Sequence, residues 1–269
     1  MKTYQKILLA IETVVAILFI LFGIPRIADY VKGMIGMDIR IFLYLLVILA
    51  LYIIGQVQGG GKYKKVNKEL RALDRELMES HRIDYYIVQN KRIYKEIDDK
   101  KYRASILFNI ATAYYHDGKY EKSNNVIEKI DLENLIEEQQ AALYNQLMLN
   151  YLYQRQLEKA REVLEQYKEL LEKYENSREY KNHYMVTRLS LELAEAGKEE
   201  EKIRKVREQF DEISVPQKQY EHAYAYRLLE GKLMIAEGNR KEGKDRLREL
   251  SKAFLMPGMK REVTRAIKQ

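Results

Sequence analysis

The chain contains no cysteine. That absence excludes a disulfide framework, a thiolate metal site and a cysteine nucleophile, and it leaves the compartment open, because a cysteine-free chain persists on either side of a membrane. Proline is scarce, with three residues in 269, and glycine is modest at thirteen, so little in the chain forces a helix to stop. No sustained period-two alternation marks a half-buried strand. The four histidines, His81, His116, His183 and His222, lack an i, i+4 partner, which removes a zinc-protease helix, and no G-x-S-x-G elbow offers a nucleophilic serine. No catalytic, cofactor-binding or metal-binding constellation emerges, and the expectation is a protein that is not an enzyme.

What the chain has instead is helix-forming material. Apolar residues make up 46% and charged residues 32%, with long stretches rich in Glu, Lys, Leu, Gln and Arg, so the expected fold class is all-α. Acidic runs such as LIEEQQ and GKEEEK read as solvated helix faces.

The average conceals a sharp break. Ile7 to Ile24 form an apolar run whose one charge is Glu12, and Ile39 to Val57 form a second with only Arg40 near its end. As helices these reach roughly 27 and 28 Å, close to the ~30 Å hydrocarbon core of a bilayer. Residues 1–58 are therefore expected to be a two-span transmembrane hairpin. A cleaved signal peptide fits less well, because no small-x-small site follows the first run. Lys2 and Lys6 precede the first span, and Lys62, Lys64, Lys65, Lys68 and Arg71 crowd behind the second. The excess of positive charge predicts that both ends, and everything after them, stay in the cytoplasm. Glu12 is tolerable in a span, and an antiparallel hairpin sets Tyr52 at similar depth as a hydrogen-bond partner.

The stretch GQVQGGGKYKK fails the phosphate-loop spacing, since Lys62 is followed by Tyr63 and not by Ser or Thr. Residues 59–66 read better as a glycine and lysine hinge. The basic group Lys62, Lys64, Lys65, Lys68 and Arg71 suits anionic lipid at a membrane surface.

Residues 67–269 alternate between helix and short break. Around FNIATAYYHDGKYEKS, Leu107, Ile110, Ala111 and Tyr114 share one helical face, Gly118 ends that helix, and Tyr120, Ser123 and Ile127 line the next. A second unit carries Tyr144, Leu147, Tyr151, Leu157, Ala160 and Leu164, and weaker units follow around Gly197 and around Gly231, Gly238 and Gly243. Against the tetratricopeptide pattern that these units resemble, Met148 and Arg155 stand where that family has a small residue and usually glycine, and Arg227 and Glu230 where it keeps apolar residues. Two helices that pack closely need a small residue where they cross, an aromatic beside it and a glycine to turn.

This pattern resembles the tetratricopeptide repeat over about residues 101–255. Unit starts at Ala104, Ala141, His183 and Tyr224 give spacings of 37, 42 and 41 residues, longer than is usual for that family. The resemblance implies an α-solenoid that binds a protein or peptide partner in a groove lined by the first helix of each unit. The groove candidates are Phe108, Asn109, Thr112, Tyr115, His116, Asn145, Gln146, Leu149, Tyr153, Tyr184 and Arg188. The subset of the family that grips a C-terminal carboxylate with lysines and asparagines is matched only at Arg188, which disfavours that specificity.

The reading that follows is a membrane-anchored scaffold. Two alternatives stand beside it. The hairpin could serve only oligomerisation, although Ala10, Ala16 and Gly23 form no G-x-x-x-G pair. Nucleic acid is the other: residues 62–269 hold 42 basic against 37 acidic residues, a mild excess, but the stretch from Lys241 to Lys268 is basic, nine against four.

Overall fold

A computed structural model describes residues 23–35, 63–177, 181–215, 217–220 and 223–269. These are all helical or irregular, with no strand among them. The chain divides into two compact units, Met1–Glu69 and Leu70–Gln269. In the first, helix α1 spans Ile24–Ile35; Pro25 sits in its first turn, where a missing N–H does no harm. The expected spans, with Glu12 and Tyr52, lie outside the described residues apart from the Gly23 and Ile24 end of the first. No described helix is long and apolar enough to cross a membrane.

The second unit is a series of helical hairpins. A helix over residues 63–80 (α2) enters it and pairs with α3, Ile83–Glu96. There follow α4 (Lys100–His116) with α5 (Tyr120–Ile127), and α6 (Glu137–Tyr153) with α7 (Leu157–Gln166). A short extra helix, α8 (Lys168–Glu175), precedes α9 (Lys181–Ala196) and α10 (Glu200–Phe210). Another, α11 (Gln217–Tyr220), precedes α12 (Tyr224–Ala236) and α13 (Arg240–Ser251), and α14 (Pro257–Lys268) ends the chain.

One conformational feature marks every hairpin. The described residues with left-handed φ are His81, Gly118, Arg155, Gly197 and Gly238, each between the two helices of one hairpin, at intervals of 37, 37, 42 and 41 residues. At Gly118, the N–H bonds the Tyr115 carbonyl and the next N–H bonds that of Tyr114; the same pair recurs at Arg155 with Leu152 and Tyr151, and at Gly238 with Ile235 and Met234. This closure satisfies the last carbonyls of a helix and requires a left-handed residue, which glycine adopts without strain. His81 therefore marks the turn of a fifth unit ahead of those visible in the sequence. The two longer intervals contain the extra helices α8 and α11.

Small residues stand where helices cross. Ala104, Ala111, Ala141 and Ala160 are buried, and a Cβ added at Gly243 would lie 2.7 Å from the Gly231 carbonyl oxygen. The misfits have local explanations. Met148 is buried in the same core cluster as Ala111 and Tyr144. Arg227 packs over the Tyr220 ring at 5.3 Å, and Glu230 accepts a 2.7 Å hydrogen bond from the Tyr220 hydroxyl, so the inserted α11 supplies partners for both charges.

The C-terminal helix folds back on the second hairpin. Gly258 of α14 approaches so closely that a Cβ there would lie 2.7 Å from the Tyr115 carbonyl oxygen. Arg261 donates to the carbonyls of Gly118 (3.1 Å) and Asp117 (3.3 Å), capping α4. Arg265 reaches the Tyr153 carbonyl at 3.0 Å, and Phe254 stacks on His81 with ring centroids 3.8 Å apart. Two arginines of the basic C-terminal stretch are thus used inside the fold.

Candidate functional site

The first helices of successive hairpins lie side by side, so residues one turn apart on α2, α4 and α6 meet on a common face. Between them is a groove of about 440 Å³, lined by Asp74, Leu77 and Met78 of α2, Tyr86 of α3, Phe108, Asn109, Thr112, Tyr115 and His116 of α4, Ala142, Asn145, Gln146 and Leu149 of α6, and His183 of α9. Eight of the eleven groove candidates line it. Three do not. Tyr184 is buried at 3% exposure beside Tyr174 and His183. Arg188 forms a two-pronged pair with Glu175 at 2.7 to 3.1 Å and also bonds Glu192 and Gln209 at 2.8 Å each. Its burial raises the cost of an unpaired charge, which those carboxylates remove. Tyr153 points elsewhere, into a second cavity.

The sequence reading missed Asp74, Leu77 and Met78 because α2 carries no small-aromatic-glycine signature; its turn residue is His81. A 37-residue step back from Gly118 lands on His81 and would have found it. Of the basic group behind the second apolar run, Lys64, Lys65, Lys68 and Arg71 are exposed on residues 63–80, and Lys62 lies outside the described residues.

The groove's polar groups are largely tied together. Tyr86 donates to Asp74 Oδ1 at 2.6 Å; burial, reinforced by that carboxylate, holds its hydroxyl well above the usual tyrosine range. Thr112 donates to Gln146 Oε1 at 2.8 Å, Gln146 Nε2 donates to Ser123 Oγ at 3.1 Å, and Asn150 Nδ2 donates to both Ser123 and Asn124. Two amide oxygens are exceptions: Asn150 Oδ1, behind the groove, and Asn145 Oδ1, in its wall, both lack a partner. Asn145 is 1% exposed, and its Nδ2 lies 3.2 Å from His183 Nε2. Exchanging the amide O and N merely changes which atom is orphaned.

Burial pushes the His116 pKa down to about 4, with a further push from His81, and raises Tyr115 to about 12. His116 is therefore neutral near pH 7. The lining includes one carboxylate, Asp74, and neither lysine nor arginine. Among the described residues no cluster of histidine and carboxylate could hold a metal ion.

A scan against protein-family models finds no match, and comparisons with curated proteins and with solved structures find no significant similarity.

Proposed function

We propose that the helical array is a receptor for an extended segment of a partner protein, seated in the groove between α2, α4 and α6, and that the apolar N-terminal runs anchor it to a membrane with the array on the cytoplasmic side. The tetratricopeptide-like reading is supported by the repeated left-handed turns and the side-by-side first helices. The observation that carries the binding role is the groove itself, in which apolar Phe108, Tyr115 and Leu149 stand beside the polar side chains of Asn109, Thr112 and Gln146, a lining that offers both contact area and hydrogen-bonding groups to an extended chain. Asn145 lies against the groove wall and holds His183 beside it. With Asp74 as the sole charge in the lining, the segment is neutral or basic, and a terminal carboxylate finds no cation to hold it.

A photo-crosslinking residue at Phe108 of the full chain, read by mass spectrometry in cells, tests the reading. Adducts should concentrate on one protein and fall at least severalfold with Asn145→Ala. Adducts to lipid alone, or only to a second copy of the chain, would instead favour an anchor that oligomerises. Orientation is tested separately: a reporter active only outside the cytoplasm, fused after Gln269, should be silent.

A further inference from the structure

The second cavity has a different chemistry. It encloses about 490 Å³ and draws its walls from the ends of three hairpins and from α14: Leu152 and Arg155, Leu193 and Lys198, Lys232 and Ile235, and Glu262. Its volume and mixed lining fall within the range of small-molecule sites.

Positive charge exceeds negative charge there. Glu262 is 2% exposed and already bonded, by Arg265 at 3.1 Å and by the Tyr120 hydroxyl at 3.3 Å. The Gln269 carbonyl oxygen accepts from Arg240. Among the described residues, no carboxylate pairs with Arg155, Lys198 or Lys232. Lys232 extends over the Tyr153 ring at 5.9 Å. Burial, together with Arg155 and Arg265, holds its pKa down to about 8 against the opposing pull of Glu262. Lys232 is half-buried and has no carboxylate paired to it among the described residues, while Arg155 and Lys198 stand solvent-exposed at the mouth. The cavity therefore offers an incoming anion one partly desolvated ammonium flanked by two further cations.

The backbone gives an independent sign. Arg155 occupies a left-handed turn, φ 65°, where three of the other four turns use glycine. A residue with a Cβ costs about 1–2 kcal/mol in that conformation. Strain of this kind persists where the side chain is needed, and here it delivers a guanidinium to the cavity rim.

We infer that this cavity binds a small aliphatic carboxylate, its head group between Arg155, Lys198 and Lys232 and its tail against Leu152, Leu193 and Ile235. The tail distinguishes it from a bare inorganic anion, which would leave the apolar wall uncovered.

The test uses the full chain and octanoate, with octanol, octylammonium and inorganic phosphate for comparison, and reads acetylation of Lys232 by mass spectrometry at pH 8. Octanoate should protect Lys232 at least tenfold better than the other three compounds. Arg155→Gly, which relieves the turn and therefore folds, should weaken protection by threefold or more, and Lys232→Met should weaken octanoate binding in calorimetry by tenfold. Equal protection by octanol or octylammonium, protection by phosphate at the same concentration, or undiminished binding in both variants would overturn the inference.

Discussion

The groove and the second cavity are built by the same repeated helices yet have opposite electrostatic character. On α6 the residues Asn145, Gln146 and Leu149 open into the groove, while Leu152 and Tyr153, one turn further, and Arg155 in the turn that follows open into the cavity. On α9, His183 begins the helix at the groove and Leu193 ends it at the cavity. Tyr115 and Tyr153, with ring centroids 6.2 Å apart, line one hollow each. In this array of helical hairpins, then, position along the first helix decides which surface a residue serves, and periodicity alone does not reveal it.

The strongest way to break this arrangement is to remove Tyr153, whose ring packs against the groove's Tyr115 from the cavity side. Tyr153 is 7% exposed and packs on Tyr115 and Tyr120, so Tyr153→Ala should lower stability by about 3–5 kcal/mol. Both hollows should lose their ligands together; a thermal melt that stays within a degree of wild type would mean the wall is not shared. Tyr115→Ala is expected to melt early for the same reason, so a groove variant meant to spare the fold should use Asn109 or Leu149.

Closure comes next in size. Gly258→Val drives a side chain into the Tyr115 carbonyl, and Ala111→Leu overfills a crossing point that is 0% exposed. Each should cost about 1–3 kcal/mol, or several degrees in melting temperature. Calorimetry would separate them: Gly258→Val should free Arg261 and Arg265 and disturb the cavity, whereas Ala111→Leu should disturb the groove.

Acid should affect the groove side first. The folded pKa of His116 lies near 4, below the ordinary 6.5, so the unfolded chain binds more protons between those values. This contribution is fully present above about pH 6.5 and is lost as pH falls toward 4. Urea midpoints measured from pH 7 to 4.5 should decline, and His116→Phe should flatten that decline. Lys232, held near 8 against an ordinary 10.5, contributes stability that increases as pH rises from about 8 to 10.5. A His116→Phe chain with the full acid slope would move the effect elsewhere.

The smallest effect has the opposite sign. Arg155→Gly removes the strained turn and should raise stability by about 1 kcal/mol, while Gly118→Arg, the reverse change at the equivalent turn, should lower it by more, because a Cβ at Gly118 would meet Arg261 at 3.0 Å and the Gly258 Cα at 3.1 Å. Equal melts for both variants would remove the argument that Arg155 is kept for its charge.

The sequence by itself determined the helical class, the spacing of four of the five hairpin turns, the small residues at the crossings, and the positions on α4 and on the first three turns of α6 that share a face. These follow from interactions within a helix or between adjacent helices, where residue spacing fixes geometry. Tertiary structure alone decided the rest. Nothing local shows that Arg188 meets Glu175 and Gln209, that α2 adds Asp74 and Leu77 to the groove, or that Gly258 rests on α4. Tyr153 shares a helix with the groove residues, but in the structure it lines the second cavity instead. Whether the last helix meets the second hairpin depends on how every intervening hairpin packs on its neighbour, and no short stretch of sequence encodes that.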